Sequence, residues 1–115
     1  MKTLTQELQA EKKLLSDPSR WTKHQFARDA NGGWAEPRSN NAACWCQHGA
    51  SQKLNTSNDA LHLKENVVKL FDDNYFCSSG HCISFNDSPK TNHSDLMEFY
   101  DVCIMHAKNI DKALA

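Results

Sequence analysis

Residues 92–114 constrain the fold more than any other part of the chain. Leu96, Phe99, Cys103, Ala107, Ile110 and Leu114 recur at three- and four-residue steps, the spacing that aligns side chains on one face of an α-helix. Asn92 supplies the side-chain acceptor of an N-cap, and Asp95 stands three residues on, as in a capping box. A helix of that length runs for roughly 35 Å. Its apolar stripe must be covered by other elements, so the rest of the chain has to supply packing partners.

The rest of the 115-residue chain offers those partners. Residues 3–16 predict a helix capped by Thr3 or Thr5, with Leu4, Leu8, Leu14 and Leu15 as a thin stripe. So thin a stripe suits a peripheral element or a homodimer contact. Asp17-Pro18 ends it and starts a short helix through Ala27, anchored by Trp21 and Phe26. Asn31-Gly32-Gly33 signals a turn, and residues 30–40 read as a loop holding Trp34 and Pro37. A helix beginning at Asn40 or Asn41 is expected to carry Cys44, Trp45, Cys46, His48, Gly49 and Ala50. Within it Gly49 costs up to ~1 kcal/mol against Ala if exposed. Ala60, Leu63, Val67, Leu70 and Phe71 give a core-facing stripe to a helix over about 57–72. Residues 74–90 are irregular, with Cys82-Ile83-Ser84-Phe85 as a short extended piece closed by Asn86-Asp87-Ser88-Pro89. The expectation is one all-α domain, residues 1–115, of four or five helices with room for one short strand.

Composition narrows the partners. The formal net charge is -1, so no global field draws in DNA or an anionic membrane. Locally, Lys2, Lys12, Lys13, Arg20, Lys23 and Arg28 outnumber Glu7, Glu11 and Asp17, but the aromatic interleaving of single-strand binders is missing, and nucleic acid is not an expected partner. No apolar run approaches the ~20 residues of a membrane span. The five cysteines, Cys44, Cys46, Cys77, Cys82 and Cys103, are odd in number, and the polar first residues are unlike an export signal. Reduced thiols in a cytoplasmic protein are expected.

Three constellations carry chemistry. A thiol enzyme would use Cys44 or Cys46 near a helix start, where the helix dipole favours the thiolate, with His93 as base and Asn86 or Asp87 orienting it. The same residues read as core thiols and an ordinary turn are the simpler account. A zinc site would draw on Cys44, His48, Cys77 and Cys82. Its spacing lacks paired Cys-x-x-Cys knuckles, so no metal is assigned. A binding pocket without chemistry would combine Arg28, Asp29, Trp45, Cys46, Asn86, Asp87 and His93. In it Arg28 grips a carboxylate or phosphate, and the start of the last helix offers free N–H groups. Trp21 and Trp45 also suit the core.

The order of motifs is itself distinctive: Trp21, then Ala27-Arg28-Asp29, a glycine turn, Cys44-Trp45-Cys46 with Gly49-Ala50, Phe85-Asn86-Asp87-Ser88-Pro89, and Asn92-His93-Ser94-Asp95-Leu96. It resembles a small family of bacterial and phage proteins catalogued as a domain of unknown function, over roughly residues 14–107. The resemblance implies a compact intracellular domain carried by a phage or other mobile element, with a shared locus near Cys46, Asn86, Asp87 and His93. It implies no activity. The functional expectation is a small binding protein that engages a host protein or a nucleotide-like small molecule. A Cys-His thiol enzyme is the alternative and a zinc-binding interaction module the second alternative.

Overall fold

The computed structural model describes residues 2–71 and 81–115. Among them are five α-helices and one two-stranded antiparallel ladder: α1 (Leu4–Leu14), β1 (Ala27–Arg28), β2 (Cys44–Trp45), α2 (Gln47–Leu54), α3 (Asn58–Phe71), α4 (His81–Asp87) and α5 (His93–Leu114). The fold is mostly α-helical, as the periodicity requires. α5 is the spine. Asn92 and Asp95 form the capping box, and Leu96, Phe99, Tyr100, Cys103 and Ala107 are buried. Beyond Ala107 the stripe outruns the core, and Leu114 is exposed.

α1 packs chiefly along α5, and α3 packs on α5 and α4. Thr3 caps α1 with a capping box shared with Gln6. Leu8, Glu11 and Leu15 all lie at zero exposure, so this helix is part of the interior. On α3 the buried face is Ala60, Leu63, Lys64, Val67 and Val68. Leu70, expected on that face, is 70% exposed and Val68 takes its place.

Three sequence expectations are corrected. The helix expected through Ala27 is only a 3-10 turn at Pro18–Arg20, after which the chain runs extended. Trp21 and Trp45 form a parallel bridge, and Ala27 pairs with Trp45 while Arg28 pairs with Cys44. Phe26, expected as an anchor, is 40% exposed. The helix expected from Asn40 or Asn41 starts instead at Gln47, with Cys46 as its N-cap, and Cys44 lies in β2. The cause of both changes is the ladder, a tertiary pairing that overrides local helix preference. Finally, residues 82–85 belong to α4 and are helical, because Cys82, Phe85 and Asn86 at steps of three and one all point inward.

Gly49 sits where the ladder meets α2. The Phe26 carbonyl accepts from Cys46 N at 3.2 Å and leans over the first turn of α2. A Cβ on residue 49 would overlap that carbonyl oxygen, which is backbone and held by the ladder. The glycine is therefore a packing requirement, not a weak point in a helix.

Glu11 and Lys64, from two helices, meet in the interior. Lys64 Nζ lies 2.8 Å from Glu11 Oε1 and donates to Ser51 Oγ at 2.7 Å. Tyr100 donates to Glu11 Oε1 at 2.8 Å, while Ser51 and Thr56 donate to Oε2 at 2.9 and 2.6 Å. Burial opposes the Glu11 carboxylate, but the Lys64 charge and these hydrogen bonds outweigh it and hold the carboxyl below its ordinary range. Burial likewise opposes the Lys64 ammonium, and the Glu11 charge reverses the balance, so Lys64 titrates above its ordinary value.

Two outcomes are expected. Gly49→Ala should lower stability by about 3 kcal/mol or more, measured by urea unfolding, since the clash is with fixed backbone. Glu11→Gln strands a buried ammonium and should cost about 3–5 kcal/mol near neutral pH. The stability supplied by a depressed carboxyl is present above its unfolded value and lost as pH falls through the folded one. The gap between wild type and Glu11→Gln should therefore close in acid. A gap that stays constant down to pH 2 would show that the ion pair does not carry it.

Candidate functional site

Asn86 and Asp87, expected in a turn, are the last two residues of α4 and build a cleft. Asn86 is fully buried. Its Oδ1 accepts from Trp21 Nε1 at 2.7 Å and from Gln47 N at 3.1 Å. Its Nδ2 donates to the Thr22 carbonyl at 3.1 Å and to Asp87 Oδ1 at 2.9 Å. Both lone pairs and both amide hydrogens are thus used, which is full satisfaction for a buried asparagine. One side chain locks together α4, the start of α2 and the extended chain after Trp21.

Asp87 is positioned by this lock. Its Oδ1 also accepts from His24 N at 2.9 Å. His24 has φ 72, in the left-handed region that non-glycine residues seldom occupy. The hydrogen bond to Asp87 fixes that conformation and turns the His24 ring so that Nδ1 stands 3.9 Å from Asp87 Oδ2. His24, Gln25, Phe26, Cys46, Ile83 and Asp87 line a cleft of about 240 Å³.

Cys46 contributes its thiol to this wall while capping α2. Its Sγ accepts from Gly49 N at 3.3 Å. Burial pushes the thiol above its ordinary value, partly offset by the N–H groups of Gly49 and His48. The N-terminus of α2 is therefore closed by groups of the protein itself, Cys46 Sγ on Gly49 N and Asn86 Oδ1 on Gln47 N.

Of the residues singled out from the sequence, Cys46, Asn86 and Asp87 come together. His93 does not line the cleft. Its Nε2 donates to the Leu15 carbonyl at 2.7 Å, which fixes the proton on Nε2, and its ring lies tilted by 58° to that of Trp21, with centroids 5.9 Å apart. The imidazole beside Asp87 is His24, which the sequence reading passed over. Arg28 spends its guanidinium inside the protein, on Thr22 Oγ1 and on the carbonyls of Gly32 and Lys23. Asp29 closes the Asn31–Gly33 turn by accepting from both backbone N–H groups. Trp45 is buried, with its indole N–H on the Pro37 carbonyl at 2.9 Å.

Of the residues considered for zinc, Cys44 lies apart from His48 and Cys82. Cys44 sits in β2 with its Sγ toward the Arg28 carbonyl. His48 and Cys82 share a cavity of about 190 Å³ with Lys64 and Glu65. Burial pushes Cys82 well above its ordinary value, and Cys103 up to about 12. Burial and the Lys64 charge lower His48. Cys77 lies outside the described residues. Among the described residues no group of three or more His, Cys, Asp or Glu side chains is arranged to hold a metal ion.

Fold and site together define a small, mostly helical domain with a cleft of mixed polar and apolar lining at the junction of its ladder and two helices. Among the described residues no helix is long and apolar enough to cross a membrane. The chain belongs to a family of unknown function, DUF6197, whose model matches residues 1–106. No curated protein and no solved structure matches it.

Alkylation tests the state of the thiols. At pH 7 iodoacetamide is expected to modify half-buried Cys44 before Cys46, followed by peptide mapping, because a buried protonated thiol reacts slowly. Preferential labelling of Cys46 would mean that its thiolate is stabilised in the cleft.

Proposed function

We propose that this chain is a small intracellular binding protein, carried by a phage or other mobile element, that takes a small molecule or a protruding group of a host protein into the cleft beside Asp87. The observation that carries this reading is the fully satisfied Asn86, which holds a partly exposed carboxylate and a left-handed His24 in fixed positions at a cleft. Conformations of that kind persist where surrounding structure over-determines them, and they concentrate at ligand sites. Arg28 is engaged internally, so the reading does not use it as a grip for phosphate.

A thiol enzyme is the second reading, and one observation favours it: Cys46, His24 and Asp87 line the same cleft. Against it stands the burial that keeps the Cys46 thiol protonated. A binding protein requires the shape and polarity of this wall but no thiolate.

Native mass spectrometry of protein isolated from its own host background separates the two. Wild type is expected to retain added mass that Asp87→Ala loses and Cys46→Ser keeps, with the helical circular dichroism of both variants unchanged. Added mass kept by Asp87→Ala would place the ligand elsewhere. A covalent adduct mapped to Cys46 would favour the enzyme.

A further inference from the structure

Resting on that reading of the cleft, we infer that its ligand is a compact cation, an ammonium or guanidinium group on a short apolar stem. Among the described residues that line it, His24, Gln25, Phe26, Cys46, Ile83 and Asp87, the fixed formal charge is that of Asp87, and it is negative. Asp87 Oδ1 is taken by His24 N and Asn86 Nδ2, whereas Oδ2 accepts no hydrogen bond among the described residues. A carboxylate oxygen has two acceptor sites, so Oδ2 is a ready partner for an N–H donor.

Apart from the His24 imidazole, whose Nδ1 stands 3.9 Å from Oδ2, the neighbouring lysine and arginine do not fill this role. Lys23 Nζ donates to the carbonyls of Ser88 and Thr91 at 2.5 and 2.7 Å and lies over the Trp21 ring. Arg28 is bound to its own loop. Neither lines the cleft. An anion finds no donor array either, because the first N–H groups of α2 are already capped by Asn86 and Cys46.

The walls fit the stem of such a ligand. Phe26 lines the cleft and is 40% exposed, its ring 4.7 Å from that of His48, and an aromatic ring attracts a cation through its quadrupole. Ile83 adds an apolar surface. The volume of about 240 Å³ is smaller than the ~300–1,000 Å³ typical of sites for drug-sized ligands, and suits a short side-chain-like group. A free alkylamine or alkylguanidine and a lysine or arginine side chain of a host protein share this chemistry.

The test is a titration of the isotope-labelled full chain followed by amide resonances of His24, Cys46 and Asp87. Probes are butylammonium, butylguanidinium, a capped glycine-flanked arginine or lysine peptide, butyrate and inorganic phosphate. The cationic probes are expected to shift the cleft resonances, with affinity about tenfold lower in Asp87→Asn, the loss of one charge-assisted contact of ~1.4 kcal/mol. Because Asp87 also holds His24, Phe26→Leu serves as a second variant at an exposed position. It should weaken the cations about two- to fivefold while leaving the spectrum otherwise intact. Tighter binding of the peptide than of the free amine assigns the cation to a protein side chain, and the reverse assigns it to a free amine. Stronger shifts with butyrate or phosphate overturn the cation while leaving a ligand cleft. If no probe moves these resonances, the cleft itself is not the binding site.

Discussion

The interior of this domain is organised around an ion pair rather than around hydrocarbon alone. Glu11 of α1 and Lys64 of α3 meet at 2.8 Å with essentially no solvent contact. Tyr100 of α5, Ser51 of α2 and Thr56 complete the hydrogen bonding. Four helices are thereby tied at one point. Desolvating two charges costs several kcal/mol per ion, and only close geometry with satisfied remaining donors and acceptors offsets it. A shift of α1 relative to α3 would leave a charge unpaired, and a shift of α2 or α5 would strip the pair of a hydrogen bond, so the cluster fixes the mutual placement of the helices. Apolar contacts such as those among Phe71, Phe85 and Phe99 supply bulk cohesion but tolerate sliding more readily.

The second fixed point is Asn86, and it depends on the first. α2 is held at its Ser51 by the ion-pair cluster and at Gln47 N by Asn86. The helix that carries the cleft's thiol is thus pinned on two sides. The Gly49 contact with the Phe26 carbonyl then brings the ladder so close to α2 that His24 and Phe26 stand over Cys46. The cleft follows from three constraints: a satisfied buried amide, a missing Cβ and a left-handed histidine. Rigid support of this sort spares a ligand the entropy of ordering its site.

These devices leave uneven traces in the sequence. The α5 stripe and its capping box are legible because they are local, with partners within four residues. The α1 stripe at Leu4, Leu8 and Leu15 also carried a clue: position 11 falls on the same face, and Glu11 there is a charge where an apolar residue belongs. Lys64 stands likewise, four residues after Ala60 on the face of α3. The two interruptions have opposite sign, the pattern by which the ion pair was available to be found. His24 left no such trace, since its left-handed backbone comes from Asp87, sixty-three residues away. Cys44 and Trp45 were misplaced onto a helix for a similar reason, because a two-residue strand exists only through its partner.

By itself the sequence determined a mostly helical fold and the position and cap of its longest helix, whereas a locus joining Cys46, Asn86, Asp87 and His93 was only what the resemblance of its motif order implied. Periodicity, capping and turn chemistry act over a few residues and can be read without a partner. Tertiary structure alone decided that Cys46 caps a helix, that His24 rather than His93 faces Asp87, and that Arg28 is consumed in its own loop. Each of those outcomes depends on which distant backbone group takes a particular hydrogen bond. That competition is settled only when the ladder, α2 and α4 meet around Asn86.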